Sequence, residues 1–77
     1  ALCYLDIIHQ VKKALPEIPL AAYQVSGEYS LIKFGAKQGL INEEEAMVET
    51  LIALKRAGAN FIITYFAKDI NKLLMEA

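Results

Sequence analysis

An α/β fold with parallel strands is predicted for this chain by three observations. Two short apolar runs, LAAYQV at 20–25 and FIITY at 61–65, have strand character; the stretch 26–60 between them carries helical spacing; and amphipathic helical patterns precede the first run and follow the second. Strands separated by that much helix are joined by a crossover and lie parallel. The order is therefore α–β–α–α–β–α. Two parallel strands with both edges open do not make a stable sheet, so further strands are expected from elsewhere.

Over 2–15, apolar residues recur at Tyr4, Ile7, Ile8, Val11, Ala14 and Leu15, the spacing of one helical face, while Asp6, His9, Gln10, Lys12 and Lys13 lie elsewhere. Pro16 disfavours the helical region at Leu15 and Pro19 repeats the punctuation, so 16–19 is a connection. Leu20 to Val25 is apolar except for Gln24 and lacks strict alternation, which predicts a strand covered on both faces. Tyr29 to Lys37 reads as a short helix closed by Gly39.

Asn42 with Glu45 three positions later has capping-box spacing, and Glu43 and Glu44 add negative charge to the first turn. Lys55 and Arg56 fall in the last turn and Gly58 follows, so both ends of a 43–57 helix suit the macrodipole. Phe61 to Tyr65 is the second strand. Ile70, Leu73 and Leu74 give the spacing of a final helix.

The 77 residues are 56% apolar before glycine is counted, against about 45–50% with glycine included in a typical soluble domain. A chain of this size buries only roughly 60% of its unfolded surface, so another subunit or more of the same chain is expected to cover the excess. The opening Ala1-Leu2-Cys3, already in a helical pattern, is what a segment cut from a longer chain would show. No apolar run reaches the ~18 residues of a membrane span, and no leader pattern is present. A net charge of −1, with charges interspersed along helices, argues against a nucleic-acid surface. The single cysteine, Cys3, forms no internal disulfide and suits a reducing compartment, with cytoplasm the default and an organelle the other location.

Both strands end at a hydroxyl residue, Ser26 before Gly27-Glu28 and Tyr65 at the close of FIITY. Open α/β sheets and barrels place ligands at the carboxyl ends of parallel strands. Adjacent strands are about 4.8 Å apart, so the two hydroxyls can converge on one small anion, helped by free N–H groups at the following helix start. This is binding chemistry, since no nucleophile or base accompanies it. The alternative assigns Ser26 to an N-cap and Tyr65 to a strand end with a satisfied hydroxyl.

The stretches LDIIHQVK, AAYQVSGEYSLIKFGAKQG and KRAGANFIITYFAKD, with the acidic helix between the last two, resemble the carboxyl-terminal part of the delta-aminolevulinic acid dehydratase (porphobilinogen synthase) family over about Ala1 to Leu74. The resemblance implies that residues 1–77 are the last two βα units of a (β/α)8 TIM barrel with the preceding helix, a segment and not an independent domain. It implies condensation of two 5-aminolevulinate molecules to porphobilinogen in tetrapyrrole synthesis. It assigns Ser26 and Tyr65 to binding the carboxylate of the substrate held as a Schiff base. The family's Schiff-base lysines, and its zinc or magnesium ligands, belong to earlier segments, so no catalytic residue and no metal ligand is expected here and the piece alone is expected to be inactive. Homo-octamer assembly and the remainder of the barrel are the implied partners.

A second class of function stays open: a non-enzymatic α/β association module that pairs through its sheet edges and binds a small anion. Upstream sequence of about 250 residues, enough to complete a barrel, with two strand-end lysines discriminates for the enzyme. The other singular residues have plain readings. Cys3 is expected to be a buried or half-buried thiol, His9 a surface residue, Glu43 to Glu45 helix-start charge, Glu28 a first-turn dipole partner and Lys68 a solvated loop lysine. Tyr23, Tyr29, Phe34, Phe61 and Phe66 are expected in the core, and Gln24 needs a buried partner or, in a barrel, faces the lumen.

Overall fold

A computed structural model describes residues 1–76. A 3-10 turn at Leu2–Tyr4 leads into α1 (Leu5–Ala14), followed by β1 (Ala21–Gln24), α2 (Ser26–Lys37), α3 (Glu43–Ala57), β2 (Phe61–Thr64) and α4 (Ala67–Glu76). The order matches the expectation from sequence. The strands are adjacent and parallel, with Ala21 opposite Phe61, Ala22 opposite Ile62, Tyr23 opposite Ile63 and Gln24 opposite Thr64. Among the described residues the sheet has these two strands only, so its outer edges are unpaired.

α3 is bounded as its residues dictate. The Asn42 side chain accepts from the Glu45 N–H at 2.9 Å, and Gly58 closes the helix at φ 127°. α1 ends where Leu15 leaves helical geometry before Pro16. α2 starts three residues earlier than its apolar spacing suggests, because Glu28 accepts a hydrogen bond from the Val25 N–H at 3.0 Å and stabilises a turn that begins at Ser26. No described helix is long and apolar enough to cross a membrane.

Two buried clusters form the core. Ile8, Ala22, Leu54 and Ala59 make one, and Ile32, Met47, Leu51 and Phe66 the other. α3 contributes to both, and Ile62 packs against both, so α3 is the spine on which α1, α2 and the sheet are assembled. Lys33 adds an ion pair from α2 to Glu43 of α3 at 3.0 Å.

Successive strand residues point to opposite faces, and here the two faces differ completely. Ala22, Gln24, Ile62 and Thr64 turn toward the helices, whereas Ala21, Tyr23, Phe61 and Ile63 turn to an exposed face. The expectation of strands covered on both faces is corrected: Phe61 is 60% and Ile63 58% exposed. Among the described residues Phe61 and Tyr23 therefore lie outside the core, as does Phe34, which points outward from α2.

Of the two settings expected for it, a buried partner and a lumen facing, Gln24 shows the first. It is fully buried against the helices, where Thr50 and Thr64 supply its partners. Only Ile8 of the α1 stripe is buried, while Tyr4, Ile7, Val11 and Leu15 remain exposed, and Cys3 is exposed rather than buried. Lys68 is exposed as expected, but in the first turn of α4 and not in a loop.

The amino ends of the strands are tied by one side chain. Asn60 Oδ1 accepts from the Leu20 N–H at 2.9 Å and from Lys12 Nζ at 2.7 Å, and Lys12 also donates to the Ile18 carbonyl. Lys12 reaches this point by crossing directly over Gly58, where an added Cβ would lie 2.8 Å from the Lys12 Cβ. Gly58→Ala therefore combines a left-handed backbone with a steric overlap. It is expected to lower stability by about 1–3 kcal/mol, read by equilibrium denaturation; an unchanged midpoint would contradict this close approach.

Candidate functional site

The site lies at the carboxyl ends of β1 and β2, where each chain passes into a helix. Tyr65 follows β2 directly and is 57% exposed. Ser26 is the first residue of α2; the N-cap position belongs to Val25, so the Ser26 hydroxyl is not spent as a cap and lies exposed at the helix start. The Cβ direction at Gly27 meets nothing within 4 Å, which leaves the first turn of α2 open to a ligand.

Tyr23 is the neighbour that Tyr65 meets across the strand ends. Its hydroxyl lies 3.5 Å from that of Tyr65. The Tyr65 hydroxyl contact, together with burial and the charge of a Tyr65 phenolate, raises the Tyr23 pKa above that of an ordinary tyrosine, while the backbone N–H of Ser26 directed at the Tyr23 oxygen acts the other way. Tyr23 thus stays protonated at neutral pH and retains a proton to donate. Sequence reasoning missed it, because an aromatic in an apolar strand reads as core. The available clue was its position one residue from Gln24 and therefore on the opposite face.

Aromatic packing fixes the other side of Tyr65. Tyr29 of α2 meets the Tyr65 ring edge-on, with centroids 5.5 Å apart at 73°, and stacks on buried Phe66 at 4.5 Å and 14°. Lys33 Nζ lies 5.6 Å from the Tyr29 ring centroid, but its hydrogen bond to Glu43 holds its pKa above the ordinary lysine value. A Schiff-base lysine requires the opposite shift.

The Glu28 carboxylate is taken up by backbone partners. Its Oε1 accepts from the Val25 N–H and from the Ala1 amino nitrogen at 2.5 Å, and its Oε2 from the Leu2 N–H at 2.7 Å. Burial opposes ionisation here, but the hydrogen bonds from Ala1, Leu2 and Val25 outweigh it and the pKa falls below the ordinary carboxylate value. Glu28 closes the first turn of α2 and also accepts from the Leu2 backbone, a wider role than a dipole partner.

Among the described residues no group of three or more His, Cys, Asp or Glu side chains is placed to hold a metal ion. The residues present therefore do not fit the zinc or magnesium implied by the resemblance.

A parallel strand pair packed on helices, with hydroxyl residues exposed at its carboxyl end, places the chain in the α/β class. The family model described as delta-aminolevulinic acid dehydratase matches residues 1–73. The delta-aminolevulinic acid dehydratase of Halalkalibacterium halodurans is 54% identical over 76 residues, covering 99% of this chain and 23% of its own length. That of Staphylococcus aureus strain N315 is 53% identical over 74 residues, covering 96% of this chain and 22% of its own. A crystal structure of the Toxoplasma gondii delta-aminolevulinic acid dehydratase (porphobilinogen synthase), in complex with the reaction product porphobilinogen, superposes with a TM-score of 0.91 at 38% identity over 95% of this chain and 20% of that one. The chain belongs to the delta-aminolevulinic acid dehydratase family, and spans less than a quarter of the length of these curated relatives.

Proposed function

We propose that this chain acts as the carboxyl-terminal segment of a porphobilinogen synthase, forming the last two βα units of its (β/α)8 barrel. Such an enzyme condenses two 5-aminolevulinate molecules to porphobilinogen. Strands in a barrel pack one face on the helices and line the interior with the other. The sheet here supports that reading: one face is helix-covered, the other is exposed and largely apolar, and both edges are unpaired. The rest of the barrel would cover them. The exposed stripe of Tyr4, Ile7, Val11 and Leu15 on α1 is compatible with the family's homo-octameric assembly.

In this reading Ser26 and Tyr65 bind the carboxylate of the substrate, and the observation that carries it is that both are exposed directly after the carboxyl ends of two adjacent, parallel strands. The Ser26 and Tyr65 hydroxyls donate to the carboxylate oxygens, and the open first turn of α2 adds N–H groups and the positive end of its dipole. With no cation in the grip, the carboxylate is oriented without being neutralised. Turning Glu28 into its own hydrogen bonds removes a like charge from the ligand position. The amine that forms the Schiff base comes from outside these residues, so this segment binds and orients substrate and performs no covalent step itself.

In the full-length protein, Ser26→Ala and Tyr65→Phe are each expected to preserve the fold and raise the 5-aminolevulinate concentration needed for half-saturation. A hydrogen bond to a charged group is worth about 1.5–3 kcal/mol, so the rise is roughly ten- to a hundredfold. Steady-state kinetics reads it, and unchanged saturation in both variants would sink the assignment.

A further inference from the structure

The fully buried Gln24 anchors a hydrogen-bond chain that the proposed carboxylate grip does not use directly. The chain has two arms, and each has one polarity. On one, the Phe66 N–H donates to Thr64 Oγ1 at 3.0 Å, and Thr64 Oγ1 donates to Gln24 Oε1 at 2.5 Å. On the other, Gln24 Nε2 donates to Thr50 Oγ1 at 2.9 Å, and Thr50 Oγ1 donates to the Met47 carbonyl at 3.0 Å. Each hydroxyl donates and accepts, so rotating one breaks a bond at the next link. Among the described residues no buried side-chain polar atom is left without a partner.

This chain ends on either side of Tyr65. Thr64 precedes it and Phe66 follows it, and the bond between the Thr64 hydroxyl and the Phe66 N–H closes the turn that Tyr65 occupies. Phe66 is fully buried and stacked on Tyr29, whose ring also meets that of Tyr65. The Tyr65 backbone is thus referred through Thr64 and Gln24 to Thr50 of α3, the helix that spans both core clusters. A cheaper way to fill this interior would be an apolar residue at 24, since buried polar groups add stability only when every bond is made.

We infer that Thr64 and Gln24 are positioning residues for Tyr65: they set the turn that aims its hydroxyl at the substrate carboxylate. This rests on the reading of Tyr65 as a carboxylate-binding group. Thr64 touches no substrate and acts through its neighbour.

The test is a cycle in the full-length protein, with 5-aminolevulinate as substrate and KM and kcat measured separately. Thr64→Val keeps the shape and removes the hydroxyl; it is expected to raise KM roughly three- to tenfold, the worth of an ordinary hydrogen bond, with a smaller change in kcat. Thr64→Ser restores the hydroxyl and is expected to restore KM. On a Tyr65→Phe background, Thr64→Val is expected to add less than about twofold, because residues acting through one another are not additive. An equal rise in both backgrounds, or a Thr64→Ser variant as impaired as Thr64→Val, would overturn the positioning role.

If Tyr65→Phe raises KM and Thr64→Val does not, the positioning role alone fails. If Tyr65→Phe leaves KM unchanged, the carboxylate reading fails and takes this inference with it. Should Thr64→Val not fold, Thr50→Val cuts the chain one link further away. It is expected to give a smaller KM rise that again vanishes on Tyr65→Phe, and a rise that persists there counts against the proposal.

Discussion

The register between β1 and β2 is the constraint on which the rest of the structure depends. A slip of β1 by one residue would turn each of its side chains to the opposite face, burying Tyr23 against the helices and exposing Gln24. Backbone pairing over four residues per strand is too short to forbid such a slip alone. Side chains do so from both ends. Asn60 ties the amino ends together and Thr64 with Gln24 ties the carboxyl ends, so the strands are held at two points by groups whose bonds do not survive a shift.

The same two clamps divide structural from functional labour. The amino-end clamp uses a lysine and an asparagine in contact with water, which suits an edge that only has to stay closed. The carboxyl-end clamp is buried and neutral, leaving the outward-facing positions beside it to Tyr23 and Tyr65. Polar groups that hold the fold and polar groups proposed to hold a ligand thus occupy opposite faces of the same short sheet. Period-two alternation makes that separation possible within only a few residues.

What was legible in the sequence was local. α3 could be bounded because Asn42, Glu45, Lys55, Arg56 and Gly58 all act within a turn of the helix end they define. The parallel pairing followed from the helical length between the strands. The strand-end hydroxyls were legible because parallel α/β sheets keep ligands there, although the contact of Tyr65 with Tyr23 was not. The facing of Gln24 stayed open between a buried partner and a lumen because LAAYQV gives almost no alternation to read; alanine stands at both 21 and 22, on opposite faces. The start of α2 was hidden since it depends on Glu28 reaching back to Val25, and the spacing of apolar residues carries no trace of a side-chain bond. Cys3 and the α1 stripe were expected to be covered, and the described residues supply too little surface to cover them.

The unpaired edges and bare aromatic face also matter in time. Strand edges that are open, short and flanked by apolar side chains recruit whatever extended chain is near, and parallel closure with distant strands is slow because the intervening chain must be ordered before contacts form. In the proposed barrel, an interval lies between the docking of this βα pair on α3 and the covering of its exposed face, and in it self-association competes with completion. Yield in the cell would then be governed by how quickly that face is covered and by chaperone capture during the delay, more than by the stability of the finished fold.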